Sequence, residues 1–249
     1  MLIDTHCHIH DKKYSFDQKA VLNRARDAGV TEVICVGTDI NDSLDAARFA
    51  DENEGVFAAV GIHPGESLEY DEKLLEVAKS SRKVVAIGEI GLDYHYDVGT
   101  RDEQIKLFEA QLQVAMELGL PVTFHVREAY EDFWAVLDGF REIRGVLHCF
   151  SDKIENLKQA LDRGLYIGLG GIVTFTKDEE QKKTFNYVPL DRVLFETDAP
   201  YLTPKPFRGT MNEPAYVKVI AEQVADSREV SLELLETVTT RNAENLFKI

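Results

Sequence analysis

The chain has 249 residues, 44% of them hydrophobic, with 28 Lys and Arg against 44 Asp and Glu and a formal net charge of −16. This length and apolar content suit one globular domain, 1–249, and exclude a disordered or fibrous chain. The acidic balance argues against a protein that coats nucleic acid through a broad basic face, but not against one that receives a single phosphate on a few local arginines.

The start, Met1-Leu2-Ile3-Asp4-Thr5-His6, has no basic stretch followed by an apolar run. No uncharged run has the length a membrane span needs. Cys7, Cys35 and Cys149 are odd in number and scattered through apolar surroundings, so they read as reduced, buried thiols. The expectation is a cytoplasmic protein with no membrane association and no stable protein partner.

Short β-rich apolar runs alternate with longer amphipathic segments from end to end. The runs are Leu2–His6, Glu32–Gly37, Phe57–Gly61, Val84–Glu89, Pro121–His125, Gly145–Cys149, Tyr166–Gly168 and Val193–Glu196. Between the first two, Phe16 to Ala28 carries a stripe of Val21, Leu22, Ala25 and Ala28 and stops at Gly29. Between the fourth and fifth, Asp102 to Leu118 sets Ile105, Phe108, Leu112 and Ala115 on one face and ends at Gly119. Such alternation predicts parallel strands joined by crossover helices. Eight units in this length predict a single closed (β/α)8 TIM barrel, because a doubly wound sheet usually has fewer strands.

In such a barrel the inward residues at the carboxyl ends of the strands line the active site. His6 and His8 stand two apart at the end of strand one, facing the same way. Glu89 is in register with Val85 and Ile87, His125 with Thr123, His148 with Val146, and Asp198 with Leu194 and Glu196. A single histidine at a strand end is more often structural, and Glu89 or Asp198 alone could cap a helix. Independent structural roles would not put all six at carboxyl ends. Four imidazoles and two carboxylates suit Zn, Mn, Fe or Ni better than calcium, with Mg also admitted. Six ligands exceed what one catalytic ion takes, so the expected cofactors are two divalent cations sharing a carboxylate.

The segments Thr5-His6-Cys7-His8, Gly61-Ile62-His63-Pro64, Gly88-Glu89-Ile90-Gly91-Leu92-Asp93-Tyr94, His148-Cys149-Phe150-Ser151, Glu196-Thr197-Asp198-Ala199-Pro200-Tyr201-Leu202 and Pro206-Phe207-Arg208-Gly209 together resemble the TatD-related deoxyribonucleases of the amidohydrolase superfamily. They span nearly the whole chain in order. Asp152 stands where that family often has glycine, and Val126 where Ser or Asn is common. The resemblance implies metal-dependent hydrolysis of DNA phosphodiesters, acting on single strands or ends as an exonuclease. It also implies one ion on His6, His8 and Asp198, the other on His125 and His148, and Glu89 as bridge.

Asp198 is the expected proton acceptor for the attacking water. Glu196, two residues earlier, either orients a ligand histidine or forms a salt bridge beneath the site. Arg127 and Arg208 are placed to receive phosphate in bidentate fashion. His63 can donate to phosphate, and Tyr94 and Tyr201 can stack on a base. Two other readings stand beside this one. A dimetal amidohydrolase would act on an amide, lactone or aminoacyl ester, although many amide-hydrolysing barrels of that superfamily bridge their metals with a strand-four lysine where this chain has Glu89. An inactive barrel scaffold is the second, against which the complete ligand set argues.

Overall fold

The structure is a computed structural model that describes residues 1–249 other than 13–16, 67, 69 and 97. Eight strands pair in chain order in one sheet. They are β1 (Leu2–Cys7), β2 (Val30–Val36), β3 (Val56–Val60), β4 (Val84–Asp93), β5 (Val122–Arg127), β6 (Gly145–Leu147), β7 (Tyr166–Leu169) and β8 (Val193–Phe195). The helices are α1 (Gln18–Asp27), α2 (Ile40–Glu52), α3 (Lys73–Lys79), α4 (Arg101–Leu118), α5 (Tyr130–Leu137), α6 (Ile154–Asp162), α7 (Ile172–Phe175), α8 (Glu179–Tyr187), α9 (Val217–Arg228) and α10 (Leu232–Phe247). Every strand expected from the sequence is present, and the parallel pairing with intervening helices is that of a (β/α)8 fold. Phe16, the expected first residue of the first helix, lies outside the described residues. Among the described residues no helix is long and apolar enough to cross a membrane.

The chain forms two compact units, 1–34 with 148–249, and 35–147. In the first, β1 meets the segment after β8. Cys7 bridges Ala199 in parallel, the His8 amide donates to the Ala199 carbonyl at 2.7 Å and the Asp198 amide to the His6 carbonyl at 2.9 Å. Beneath this pairing the buried Asp4 carboxyl accepts from the Thr197 amide at 2.9 Å and from the Thr197 hydroxyl at 2.5 Å. Burial pushes that carboxyl well above the usual carboxylate range, with the nearby Glu196 charge adding to it and the Thr197 and His6 hydrogen bonds opposing.

In the second unit β4 is the long strand, continuing past Glu89 to Asp93. Its pairing with β5 shifts register between Ile87 and Ile90, then runs from Ile90–Phe124 to Asp93–Arg127. Gly91 makes this possible, because its φ is +148° and a Cβ there would land on the His125 carbonyl oxygen. Behind β5 the rings of Phe108, Phe124 and Phe133 pack with centroids 5.2 to 6.1 Å apart, joining α4 and α5 to the strand. The start of α4 is fixed by a capping box between Thr100 and Glu103, and its end by Gly119 in the left-handed region.

Two clusters of candidate ligands

In the unit of residues 1–34 and 148–249, His6 lies near the end of β1, His8 follows the strand, and Asp198 lies three residues past β8. His6 Nε2 is 3.3 Å from His8 Nε2 and 3.7 Å from Asp198 Oδ1, and His8 Nε2 is 3.5 Å from that oxygen. Two atoms each about 2.1 Å from a tetrahedral ion lie about 3.4 Å apart, so this triangle has the dimensions of a metal face. Burial works to raise the Asp198 carboxyl, but the hydrogen bond with His8 and the charges of His148, His6 and His8 outweigh it and hold the group below its ordinary value.

His148 follows β6, and its ring stacks on His6 with centroids 3.9 Å apart and an interplanar angle of 14°. Glu196 is buried, with Oε1 accepting from the Cys149 amide and lying 3.5 Å from His148 Nδ1. Gly168 leaves room for it, because a Cβ there would strike the Glu196 carboxylate. Asp198 and Cys149 hold the left-handed conformation, with φ of 58° and 47°. That conformation costs a non-glycine residue about 1–2 kcal/mol, a strain that concentrates at functional sites. Tyr201 is exposed, with its ring 6.3 Å from that of His8. The Arg208 guanidinium lies 4.1 Å above the Phe175 ring and donates to the Thr203 carbonyl at 2.8 Å. Cys7 and Cys35 are buried thiols outside any disulfide, whereas Cys149, expected to be buried, is half-buried.

The unit of residues 35–147 gathers His63, Glu89 and His125 and adds Asp93, to which the sequence motifs assigned no role. His125 Nδ1 is 2.9 Å from Glu89 Oε1, and its Nε2 is 2.8 Å from Asp93 Oδ2. His63 Nε2 is 3.7 Å from Glu89 Oε1, and the His63 and His125 rings meet edge to face at 4.4 Å. Ligand atoms of His63, Asp93 and His125 lie within 4.8 Å of one another, a second set able to hold an ion. Burial works to raise the Asp93 carboxyl, but the His125 hydrogen bond and charge and the His95 and Tyr96 amides hold it low. Arg127 ends β5 with its guanidinium 5.0 Å from the Tyr96 ring. The Tyr94 hydroxyl donates to Asp132 at 2.7 Å, and the Arg101 guanidinium lies 4.7 Å from its ring centroid.

Two buried glutamines of α4 hold the loops that carry this cluster. Gln111 accepts from the Ile62 amide at 2.7 Å and donates to the Ile62 carbonyl at 2.9 Å, beside His63. Gln104 accepts from the Asp93 amide at 2.9 Å and donates to the Asp93 carbonyl at 2.8 Å. The sequence signal for Asp93 was its parity with Glu89, four residues earlier on the same strand. For the glutamines it was their seven-residue spacing, which returns a helix to the same face.

Residues 3–248 match the family model described as TatD related DNase. The chain is 39% identical over 254 residues to a protein of Bacillus subtilis (strain 168) named "Uncharacterized metal-dependent hydrolase YabD", covering all of both chains. It is 34% identical over 259 residues to the "3'-5' ssDNA/RNA exonuclease TatD" of Salmonella typhimurium (strain LT2), covering all of this chain and 99% of that one. Among solved structures it is similar to YjjV, a TatD homologue from Escherichia coli K12, with a TM-score of 0.92 and 29% identity over 100% of this chain and 98% of that one. That likeness bears out the TIM-barrel fold expected from the alternation of strands and helices. The chain belongs to the TatD related DNase family and is a metal-dependent hydrolase.

Proposed function

We propose that the protein is a metal-dependent deoxyribonuclease that removes nucleotides from the ends of single-stranded DNA. The observation that carries this reading is the His6–His8–Asp198 triangle, whose separations of 3.3 to 3.7 Å suit a divalent cation. In this account the chain acts as one domain in the cytoplasm. His6, His8 and Asp198 would hold one ion and His125 and His148 the other, with Glu89 as a further carboxylate ligand. The ions are of the Zn, Mn, Mg, Ni or Fe class.

When bound, such a pair of cations makes water acidic enough to attack at neutral pH and offsets charge on the attacking and leaving oxygens. The chain's own residues do the rest. Asp198, kept ionised by its histidine neighbours, takes the proton of the attacking water. Arg127, Arg208 and His63 bind the oxygens of the scissile phosphate, where a guanidinium can engage two at once. The exposed ring of Tyr201 offers a face for a terminal base. Glu196 fixes the turn that carries His148 by accepting from the Cys149 amide. The choice of DNA over a carbonyl substrate is supported by the two arginines and by the nuclease name of the Salmonella relative.

Metal-stripped protein resupplied with Mn, Mg, Zn or Ni tests the reading on end-labelled single-stranded DNA beside a panel of amides, lactones and aminoacyl esters. Progressive shortening of the DNA is expected. Turnover of a carbonyl substrate with no cleavage of DNA under any metal would replace the nuclease by an amidohydrolase, and inertness towards the whole panel would leave a scaffold.

A further inference from the structure

A cavity of about 350 Å³ lies among the segment after β7, α8, α9 and the loop after β8, apart from the histidine clusters. Its polar lining includes Thr174, Lys182, Asn186, Lys205, Ser227 and Arg228, and among the described residues no carboxylate lines it. In a chain with 44 acidic residues against 28 basic ones, three cations around an acid-free cavity depart from the rest of the composition. Neither Lys205 nor Arg228 has an ion-pair partner among the described residues. Arg228 donates to the Val188 carbonyl at 2.7 Å and to the Phe185 carbonyl, while its Nε is buried with no hydrogen-bond partner. Burial without a compensating acid lowers its pKa to about 10. Lys182 pairs only with Glu179 at 2.7 Å on an exposed helix face, a contact of little energy.

The cavity is tied to the loop that carries Arg208. The Lys205 amide donates to Thr174 Oγ1 at 2.9 Å, and Thr174 in turn donates to the Gly171 carbonyl at 2.7 Å. Phe175, which supports the Arg208 guanidinium at 4.1 Å, stands in the chain between Thr174 and Thr176, both of which line the cavity. Lys205 and Arg208 stand three residues apart in this loop. The volume falls at the lower end of the range for small-molecule pockets, about 300–1,000 Å³, enough for one nucleotide unit.

We infer that this cavity is an accessory site that binds a phosphodiester group of the substrate strand beyond the nucleotide being removed. The inference rests on the nuclease reading above and gives it a consequence, a preference for longer strands. Lys182 and Lys205 supply the charge from exposed positions, so they can be changed without disturbing the core.

The test compares metal-loaded wild-type protein with Lys182→Gln/Lys205→Gln, using phosphorothioate-linked single-stranded decathymidylate and dithymidylate as probes that resist cleavage. The ratio of the two dissociation constants, which measures the gain from length, is expected to fall at least fivefold in the variant. The slope of log affinity against log salt for decathymidylate is expected to shrink by about 0.7, the contribution of the one phosphate of a single strand that the variant no longer neutralises. A ratio that changes less than fivefold overturns the accessory site and leaves the nuclease reading standing. Wild-type protein that binds neither strand overturns the nuclease reading, and the accessory site with it.

Discussion

His125 Nε2 lies 2.8 Å from Asp93 Oδ2, while the other nitrogen of the same ring lies 2.9 Å from Glu89 Oε1. A ring held between two carboxylates can give one nitrogen to a cation while the other keeps its acid, which fixes the tautomer and raises the basicity of the ligating atom. Asp93→Asn is therefore expected to weaken divalent-ion binding by about 10- to 100-fold, measured by titration calorimetry, with little change in the melting temperature of the metal-free protein. Unchanged ion affinity would reduce Asp93 to a packing residue.

Asp198 has a different part, because it belongs to the ligand triangle and is also the group placed to accept a proton. Asp198→Asn keeps the shape and one ligand oxygen but removes the basic form. Turnover of single-stranded DNA at saturating metal is expected to fall by about 10²- to 10⁴-fold, the span of general-base contributions. Circular dichroism should remain that of the wild type. Unaltered turnover would reject Asp198 as the base.

The glutamine clamps give a prediction about stability. Gln111→Leu leaves the buried amide and carbonyl of Ile62 without the partners seen at 2.7 and 2.9 Å. Each such loss costs about 1–3 kcal/mol, so urea unfolding should show a deficit of about 2–6 kcal/mol. Gln113→Leu, on the exposed face of the same helix, should stay within about 0.5 kcal/mol of wild type. Equal effects at the two positions would show that the clamp contributes nothing specific.

Gly91 and Gly29 separate steric need from backbone need. Both have positive φ, +148° and +86°, but a Cβ at Gly91 meets the His125 carbonyl whereas one at Gly29 has nothing within 4 Å. Gly29→Ala should cost only the backbone strain of about 1–2 kcal/mol. Gly91→Ala should cost more than about 4 kcal/mol or leave no soluble protein, because neither strand can withdraw without breaking the β4–β5 pairing. Comparable melting temperatures for the two variants would contradict the close approach of β4 to β5.

Much of the fold was legible because each strand announces itself as a short β-branched run bounded by helix caps and glycines. The errors lie at ends. The apolar run places the end of β4 at Glu89, yet the strand continues to Asp93 because Gly88 and Gly91 allow close packing on β5. That early stop hid Asp93. On α4 the expected stripe centres on Ile105 and Phe108, whereas the buried face also holds Gln104, Leu107 and Gln111, and Ile105 is only half-buried. A polar side chain on a buried face cannot be read from hydrophobic periodicity, because what stabilises it is a backbone partner remote in sequence. The cavity beside α8 and α9 escaped for the same reason: Lys182, Lys205 and Arg228 come from three separate segments.

The measurement that bears most directly on the central claim is the metal content of chelator-stripped protein reloaded with Mn or Zn and freed of excess ion. Two ions per chain are predicted, falling to about one when His6 and His8 are both replaced by alanine. A wild-type content of one ion or fewer would contradict the two-ion centre.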